Sequence, residues 1–443
     1  MGEDARTRPV QAYRASLLDF VDDPAKRADA HRFVEDGLLL VQDGRVLASG
    51  PYASLSARLG DHVALFDHTG CFLVPGFIDA HVHFPQTEMV GAYGEELLTW
   101  LETYTYPTER AFADEAYARA VARVFLRELL RHGTTSALVF ASVHKASAVA
   151  LFDEARALNL RIIAGKVLMD RNAPAYLCDT PESGFEDSRA LIEAYHGQGR
   201  LRYAVTPRFA PTSSPAQLRA ARRLLDAYPD CHLHTHVAEN LGEVAWATSL
   251  FAAETPPGTS YLGVYEHFGL LTERAVFAHG VHLEDRDFAL LSSRGSAIAF
   301  CPTSNLFLGS GLFPLARADA HGVKVGMGTD IGAGTSFSLL QTLNEAYKVV
   351  KLQGGTLSAL RALYLATLGS ARALAIDGEV GSFLPGREAD FVVLDPRATP
   401  LLAFREARAK SFEERLFVLL TLGDDRAVAA TYVAGVLQHA RDA

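Results

Sequence analysis

The sequence predicts an α/β fold: a (β/α)8 TIM-like barrel with a small β-sandwich domain built from both termini. Three observations point there. Residues 75–379 alternate apolar strand-like runs with amphipathic helical stretches. The two ends of the chain instead read as short strands and turns. Histidine and aspartate recur where the barrel strands end, which is where such barrels keep their chemistry.

The elements follow in order. The runs 37–41 and 45–48 flank Asp43-Gly44, a hairpin turn signal. Cys71-Phe72-Leu73-Val74 and Phe77-Ile78 are apolar runs punctuated by Pro75-Gly76, and the second leads into His81-Val82-His83. The strand 134–140 follows a helical stretch at 115–131. The strand 161–168 follows a helix around 146–158, 201–207 follows 188–196, and 232–237 follows 215–227. Runs at 275–279, 297–301 and 323–330 complete about eight βα units. Beyond them, 389–394 reads as a strand and 428–437 as two strands around a glycine turn. The expected domains are residues 1–74 plus 380–443 for the sandwich and 75–379 for the barrel.

Composition narrows the function classes. The 443 residues allow roughly two to three domain-sized units. At 49% hydrophobic and 21% charged, the chain can bury a large core and is not expected to be disordered. The net charge of −10 and the lack of a long Lys/Arg cluster exclude nucleic acid and anionic membrane as expected partners. Cys71, Cys178, Cys231 and Cys301 are far apart, with no Cys-x-x-Cys, so reduced thiols in a cytoplasmic protein are expected. Residues 1–15 mix Asp, Glu and Arg without an apolar core, unlike a secretory signal. No apolar run reaches the ~18 residues of a membrane span, so a soluble protein is expected.

In an extended strand, His81 and His83 point the same way and can reach one metal ion. His236 lies near the end of the fifth barrel strand, His279 ends the sixth and Asp330 the last. Three imidazoles and a carboxylate (His81, His83, His236, Asp330) suit one divalent metal with room for water, and Zn²⁺ and Fe²⁺ fit alike. His232, His234 and His236 share a face, but only His236 has the His-x-x-Glu spacing to Glu239. The remaining catalytic roles fall to three residues. Glu239 is placed to shuttle a proton, Asp330 to accept one from water, and His279 to hydrogen-bond the reacting oxygen.

The motifs Pro-Gly-Phe-Ile-Asp-Ala-His-Val-His, His-Val-Ala-Glu, Ala-His-Gly and Gly-Thr-Asp resemble the ordered motifs of the amidohydrolase superfamily. The resemblance runs nearly end to end, through Arg387-Glu388-Ala389-Asp390-Phe391-Val392. Within the superfamily the chain is most similar to the guanine deaminases. That likeness rests on His83-Phe84-Pro85-Gln86, on residues 97–109 with their Trp-Leu-Glu-Thr-Tyr core, and on Pro207-Arg208-Phe209. It implies hydrolysis of guanine to xanthine and ammonia, one Zn²⁺ per subunit (Fe²⁺ as the other option), and a homodimer. It also implies a purine site built from His83, Phe84, Pro85, Gln86, Trp100, Arg208, Phe209, His236, Glu239 and Asp330. In that site the Arg208 fork suits the O6 and N7 acceptors, and Gln86 offers a donor and an acceptor. Phe209 and Trp100 stack on the ring or wall the pocket.

Other readings stand beside these. A related deaminase or chlorohydrolase would take a triazine, pterin or thioadenosine-type ring. A scaffold without catalysis would have damaged ligands, yet every proposed ligand is present. A nucleic-acid deaminase needs a Pro-Cys-x-x-Cys motif, which this chain lacks. Lys166 is either the bridging lysine of two-metal relatives or part of the deaminase pattern. Arg208 is alternatively a structural ion-pair partner, and Trp100 plain core. His267, His282 and His321 are expected at the surface. Residues 311–315 and 331–336 are expected as loops near the mouth, with Gly332 and Gly334 serving backbone geometry.

Overall fold

Two sheets divide the strands, as seen in a computed structural model that describes residues 9–60, 63–94 and 96–442. The first seven-stranded sheet takes strands from both ends of the chain. From the N-terminal side come β1 (Gln11–Phe20), β2 (His31–Gln42), β3 (Arg45–Pro51) and β4 (Ala64–Pro75). Residues 11–15 thus belong to β1, while residues 1–8 of the expected non-signal segment lie outside the described residues. The Asp43-Gly44 turn joins β2 to β3, and both residues have positive φ (51° and 76°), as a tight two-residue hairpin requires.

The barrel strands are β5 (Phe77–His83), β6 (Thr134–Phe140), β7 (Arg161–Gly165), the short β8 (Val167–Leu168), β9 (Arg202–Pro207), β10 (His232–Val237), β11 (Ala275–His279), β12 (Ala297–Phe300) and β13 (Lys324–Met327). Eight of them pair in parallel in chain order, and β8 pairs only with β9. The expected strand 161–168 is therefore split at Lys166. The expected helix at 188–196 begins earlier, at Pro181, capped by the Thr180 hydroxyl on the Ser183 N–H. The barrel closes at the ends of β5 and β13, where Asp330 N–H donates to His81 O (2.9 Å) and His83 N–H to Ile331 O (3.0 Å).

The chain then returns to the first sheet through β14 (Phe391–Leu394), β15 (Val428–Val433) and β16 (Val436–Ala440). There β4 pairs with β1 on one side and β14 on the other, which joins the two termini. Tyr13, Phe391 and Tyr432 form its aromatic core, with ring centroids 4.4–5.1 Å apart. Arg161 and Arg200, on the barrel, both pair with Glu388 beside β14 (2.6 and 2.8 Å) and tie the sheet to the barrel floor.

Inside the barrel, Ile78, Ala80, Leu138, Ile163, Ala204, Val276 and Ala299 pack against Ala371 and Leu374. These side chains fill the floor and leave the upper interior to polar groups. The register of β5 against β6 makes that division possible. Asp79 faces Ala137 but Val82 faces Val139, so β5 spends an extra residue between those positions. This bulge re-aims the chain, and simple alternation from Phe77 does not hold across it.

Candidate active site

His81, within the bulge, and His83, just past it, meet His236 from β10. His83 Nε2 and His236 Nε2 are 3.2 Å apart, and His81 Nε2 and His83 Nε2 lie 3.1 and 3.4 Å from Asp330 Oδ1. All four side chains are buried or nearly so. Burial pulls the His81 imidazole down to about 3 and those of His83 and His236 well below the usual range, so these rings are neutral. Phe140, at the end of β6, stacks on His83 at 4.7 Å and walls the cluster with apolar surface.

Tautomers decide what these nitrogens can do. His236 Nδ1 donates to Arg208 O (2.7 Å), which leaves its Nε2 a lone pair facing His83. His81 Nε2 has no hydrogen-bond partner among the described residues. Buried lone pairs aimed at one another and at a carboxylate are satisfied by a divalent cation, so His81, His83, His236 and Asp330 fit one. Behind them β10 forms a ladder. His234 Nε2 meets His81 Nδ1 (2.7 Å), and His232 Nε2 bonds Leu374 O (2.7 Å) on the floor. His234 thus braces His81 from behind.

His279 brings its nitrogen within 4.8 Å of those of His81 and His236. Its tautomer sets it apart. The Asn305 amide nitrogen can only donate, and it lies 2.9 Å from His279 Nδ1. The imidazole proton therefore sits on Nε2, 3.3 Å from Glu239 Oε2. His279 is a donor here. Glu239 also accepts from the Ser310 hydroxyl (3.0 Å). Burial, then Asp330 and Glu243, hold its carboxyl well above the usual range. Backbone strain marks the same place: Ala238, His279 and Asp330 all have φ between 50° and 72°.

A pocket opens over this cluster. It is lined by His83, Gln86, Leu97, Trp100, Leu101, Arg208, Phe209, His236, Glu239, Glu243, His279, Leu308, Asp330 and Ala333. Eight of the ten residues expected at the purine site thus meet there. Phe84 and Pro85 do not. The Phe84 ring packs on Phe112 and Phe125 (5.2 and 6.0 Å) in the core, because the turn after His83 sends it outward from the barrel axis. Trp100 and Leu101 reach the pocket from a helical segment, Leu97–Trp100 and Tyr106–Glu109, joined by a π-turn at Leu101–Thr105. Pro107 explains that turn, since its ring would crowd the Thr103 carbonyl in a regular helix.

Other expectations resolve differently. Lys166 is buried and pairs with Asp179 (2.6 Å), so its ammonium is already engaged. Arg208 both lines the pocket and pairs with Glu109 (2.9 Å), which joins its two alternative roles. His267 is exposed. His321 is half-buried and bonds Arg317 O. His282 is not a bystander: its Nε2 bonds Ser310 O (2.8 Å), and so holds the loop whose hydroxyl serves Glu239. Gly334 needs its lack of Cβ, which would sit 1.8 Å from Thr329 O. Sequence reasoning missed Glu109, Glu243, Asn305 and Asp79. Asp79 accepts from His81 N–H (3.2 Å), Thr329 N–H (3.0 Å) and the Thr329 hydroxyl, and so ties β5 to the Asp330 loop. Only its place inside the Ile-Asp-Ala-His motif hinted at it.

The model of the amidohydrolase family matches residues 72–437. Guanine deaminase of Escherichia coli (strain K12) is 54% identical over 436 residues, covering 98% of each chain. A solved structure of the E. coli guanine deaminase has a TM-score of 0.94 at 52% identity, covering 98% of this chain and 100% of that one. Guanine deaminase from C. acetobutylicum, solved with guanine bound in the active site, has a TM-score of 0.87 at 29% identity, covering 97% and 99%.

Proposed function

This chain belongs to the amidohydrolase family, a metal-dependent family, and we propose that it hydrolyses guanine to xanthine and ammonia with one zinc ion per subunit. One observation carries the reading. A cation-type cluster and a wall of hydrogen-bond donors, Arg208 and Gln86, line the same pocket. The full-length likeness to guanine deaminases supports it.

The ion would be held by His81, His83, His236 and Asp330, and when bound it would bring the pKa of water to about 7 and so supply hydroxide at neutral pH. The rest is done by side chains. Arg208 and Gln86 grip the acceptor edge of the base, and Phe209 and Trp100 wall its faces. This orients C2 toward the cluster. Water adds to C2, and Glu239 takes its proton and delivers it to the adjacent ring nitrogen. The C2–N2 bond then breaks as the proton of the hydroxyl now on C2 passes by way of Glu239 to N2, which leaves as ammonia while C2 keeps the oxygen as a carbonyl. His279 Nε2–H, fixed by Asn305, donates to the oxygen that develops negative charge at C2.

The ligand set also accepts Fe²⁺, and metal analysis of purified protein decides between the two. No helix among the described residues is long and apolar enough to cross a membrane. The four free cysteines support a cytoplasmic location, and the family likeness supports a homodimer. Incubation of zinc-loaded protein with guanine should release ammonia and shift the ultraviolet spectrum to that of xanthine. Turnover of a triazine, pterin or thioadenosine-type ring in its place would refute the substrate assignment.

A further inference from the structure

Glu109 is fully buried at the end of the π-containing helical segment, 99 residues from its partner Arg208 in the chain. A buried carboxylate beside a substrate pocket needs a reason, because burial without compensation is costly. Its contacts supply one. Arg208 Nη1 alone reaches both Glu109 oxygens, at 2.9 and 3.0 Å. This is a contact through one guanidinium nitrogen shared by both oxygens. A bidentate fork would consume two guanidinium nitrogens, whereas here Nε and Nη2 make no hydrogen bond among the described residues. The free edge of the guanidinium belongs to a residue that lines the pocket.

The same carboxylate orients Gln86. Gln86 Oε1 accepts from Gly332 N–H (3.1 Å), and Gln86 Nε2 donates to Glu109 Oε1 (3.4 Å). The amide is thereby fixed with its oxygen toward Gly332, and one N–H is left over. Glu109 thus holds two donors and accepts from both. It also offsets the Arg208 charge beside a cluster that takes a cation.

We infer that Glu109 is a positioning residue that makes this pocket wall a donor-only surface, selecting 6-oxopurines over purines without an acceptor at position 6. Resting on the proposed function, the inference gives Glu109 no contact with the base. A 6-amino group, itself a donor, would meet the Arg208 and Gln86 donors head-on, and that sets the direction of discrimination.

The test compares wild type, Glu109→Gln and Glu109→Asp, each zinc-loaded, with thermal midpoint and metal content recorded. Competitive inhibition by hypoxanthine and by unsubstituted purine reads the pocket alone, since neither carries the leaving amino group. Wild type should prefer hypoxanthine. Glu109→Gln should shrink that preference by about 10- to 100-fold and raise KM for guanine by a similar factor, with a smaller change in kcat. Glu109→Asp should recover part of the preference. A folded, metal-loaded Glu109→Gln that keeps the full preference overturns the inference. So does insolubility of both variants, which would assign Glu109 to folding alone. If wild type does not turn over guanine, the proposed function fails instead, and calorimetric binding of hypoxanthine and purine, which needs no turnover, reads the preference separately.

Discussion

Replacing Glu239 by glutamine keeps the side chain's size, removes its ability to carry a proton and turns the oxygen that faces His279 into a donor. The structure allows the consequences to be separated. The glutamine oxygen can still accept from the Ser310 hydroxyl, which lies 3.0 Å from Glu239 Oε1. The side chain is 4% exposed, so no solvent group can take over. Metal binding should survive, because Glu239 supplies none of the four proposed ligands. Stability should hold or rise, because the carboxyl is crowded by burial and by Asp330 and Glu243. Loss of a positioned acid–base group costs about 10²- to 10⁴-fold in rate, or roughly 3–5 kcal/mol of barrier. The expected result is a kcat for guanine lowered by at least a hundredfold, with metal content and thermal midpoint unchanged, read by ultraviolet absorbance and ammonia release. A variant with kcat within tenfold of wild type and intact metal would refute the assignment of the proton shuttle.

Further outcomes follow from the same geometry. Asn305→Leu removes the donor that sets the His279 tautomer, so kcat should fall about tenfold or more while bound metal stays constant, with metal analysis beside kinetics as the check. Gly328→Ala would place a Cβ 2.8 Å from Cys301 Sγ and 2.9 Å from His81 Cβ. Overpacking of this kind costs about 1–3 kcal/mol, and chelator competition should show weaker metal retention. Burial raises the Glu243 carboxyl to about 7, so the folded chain keeps a proton that the unfolded chain releases near pH 4–5. Stability from this group is complete below that range and is lost as pH rises to 7, by about 3 kcal/mol. Glu243→Gln should flatten that dependence in urea titrations at pH 5 and 8, and an unchanged slope would refute the burial argument.

The barrel was legible because hydrophobic period and strand-end polarity are local signals. The runs at 134–140 and 232–237 match β6 and β10 because each is a buried strand bounded by clear breaks. His81, His83, His236, His279 and Asp330 could be picked out because each lies near the end of a strand or just past it. What stayed hidden depends on contacts between distant residues. Glu109 and Arg208 are 99 positions apart, and nothing local marks Glu109 as anything but one more helix carboxylate. His282 looked like a surface histidine, since its tie to Ser310 depends on how two loops fold back. Phe84 was misplaced because the peptide following a ligand need not face the pocket. The bulge in β5 has no sequence signature, although it decides which face His81 and His83 share. Pro107 was visible, but its effect on the helix had to be seen in three dimensions.

The central claim is that one ion, held by His81, His83, His236 and Asp330, serves a pocket that deaminates guanine. Metal-depleted protein titrated with Zn²⁺ while guanine turnover is followed tests it most directly. Activity should rise in proportion to added zinc and level off at one ion per chain, with xanthine and ammonia in equal amounts. Full turnover without metal, or saturation only at two ions per chain, would contradict it.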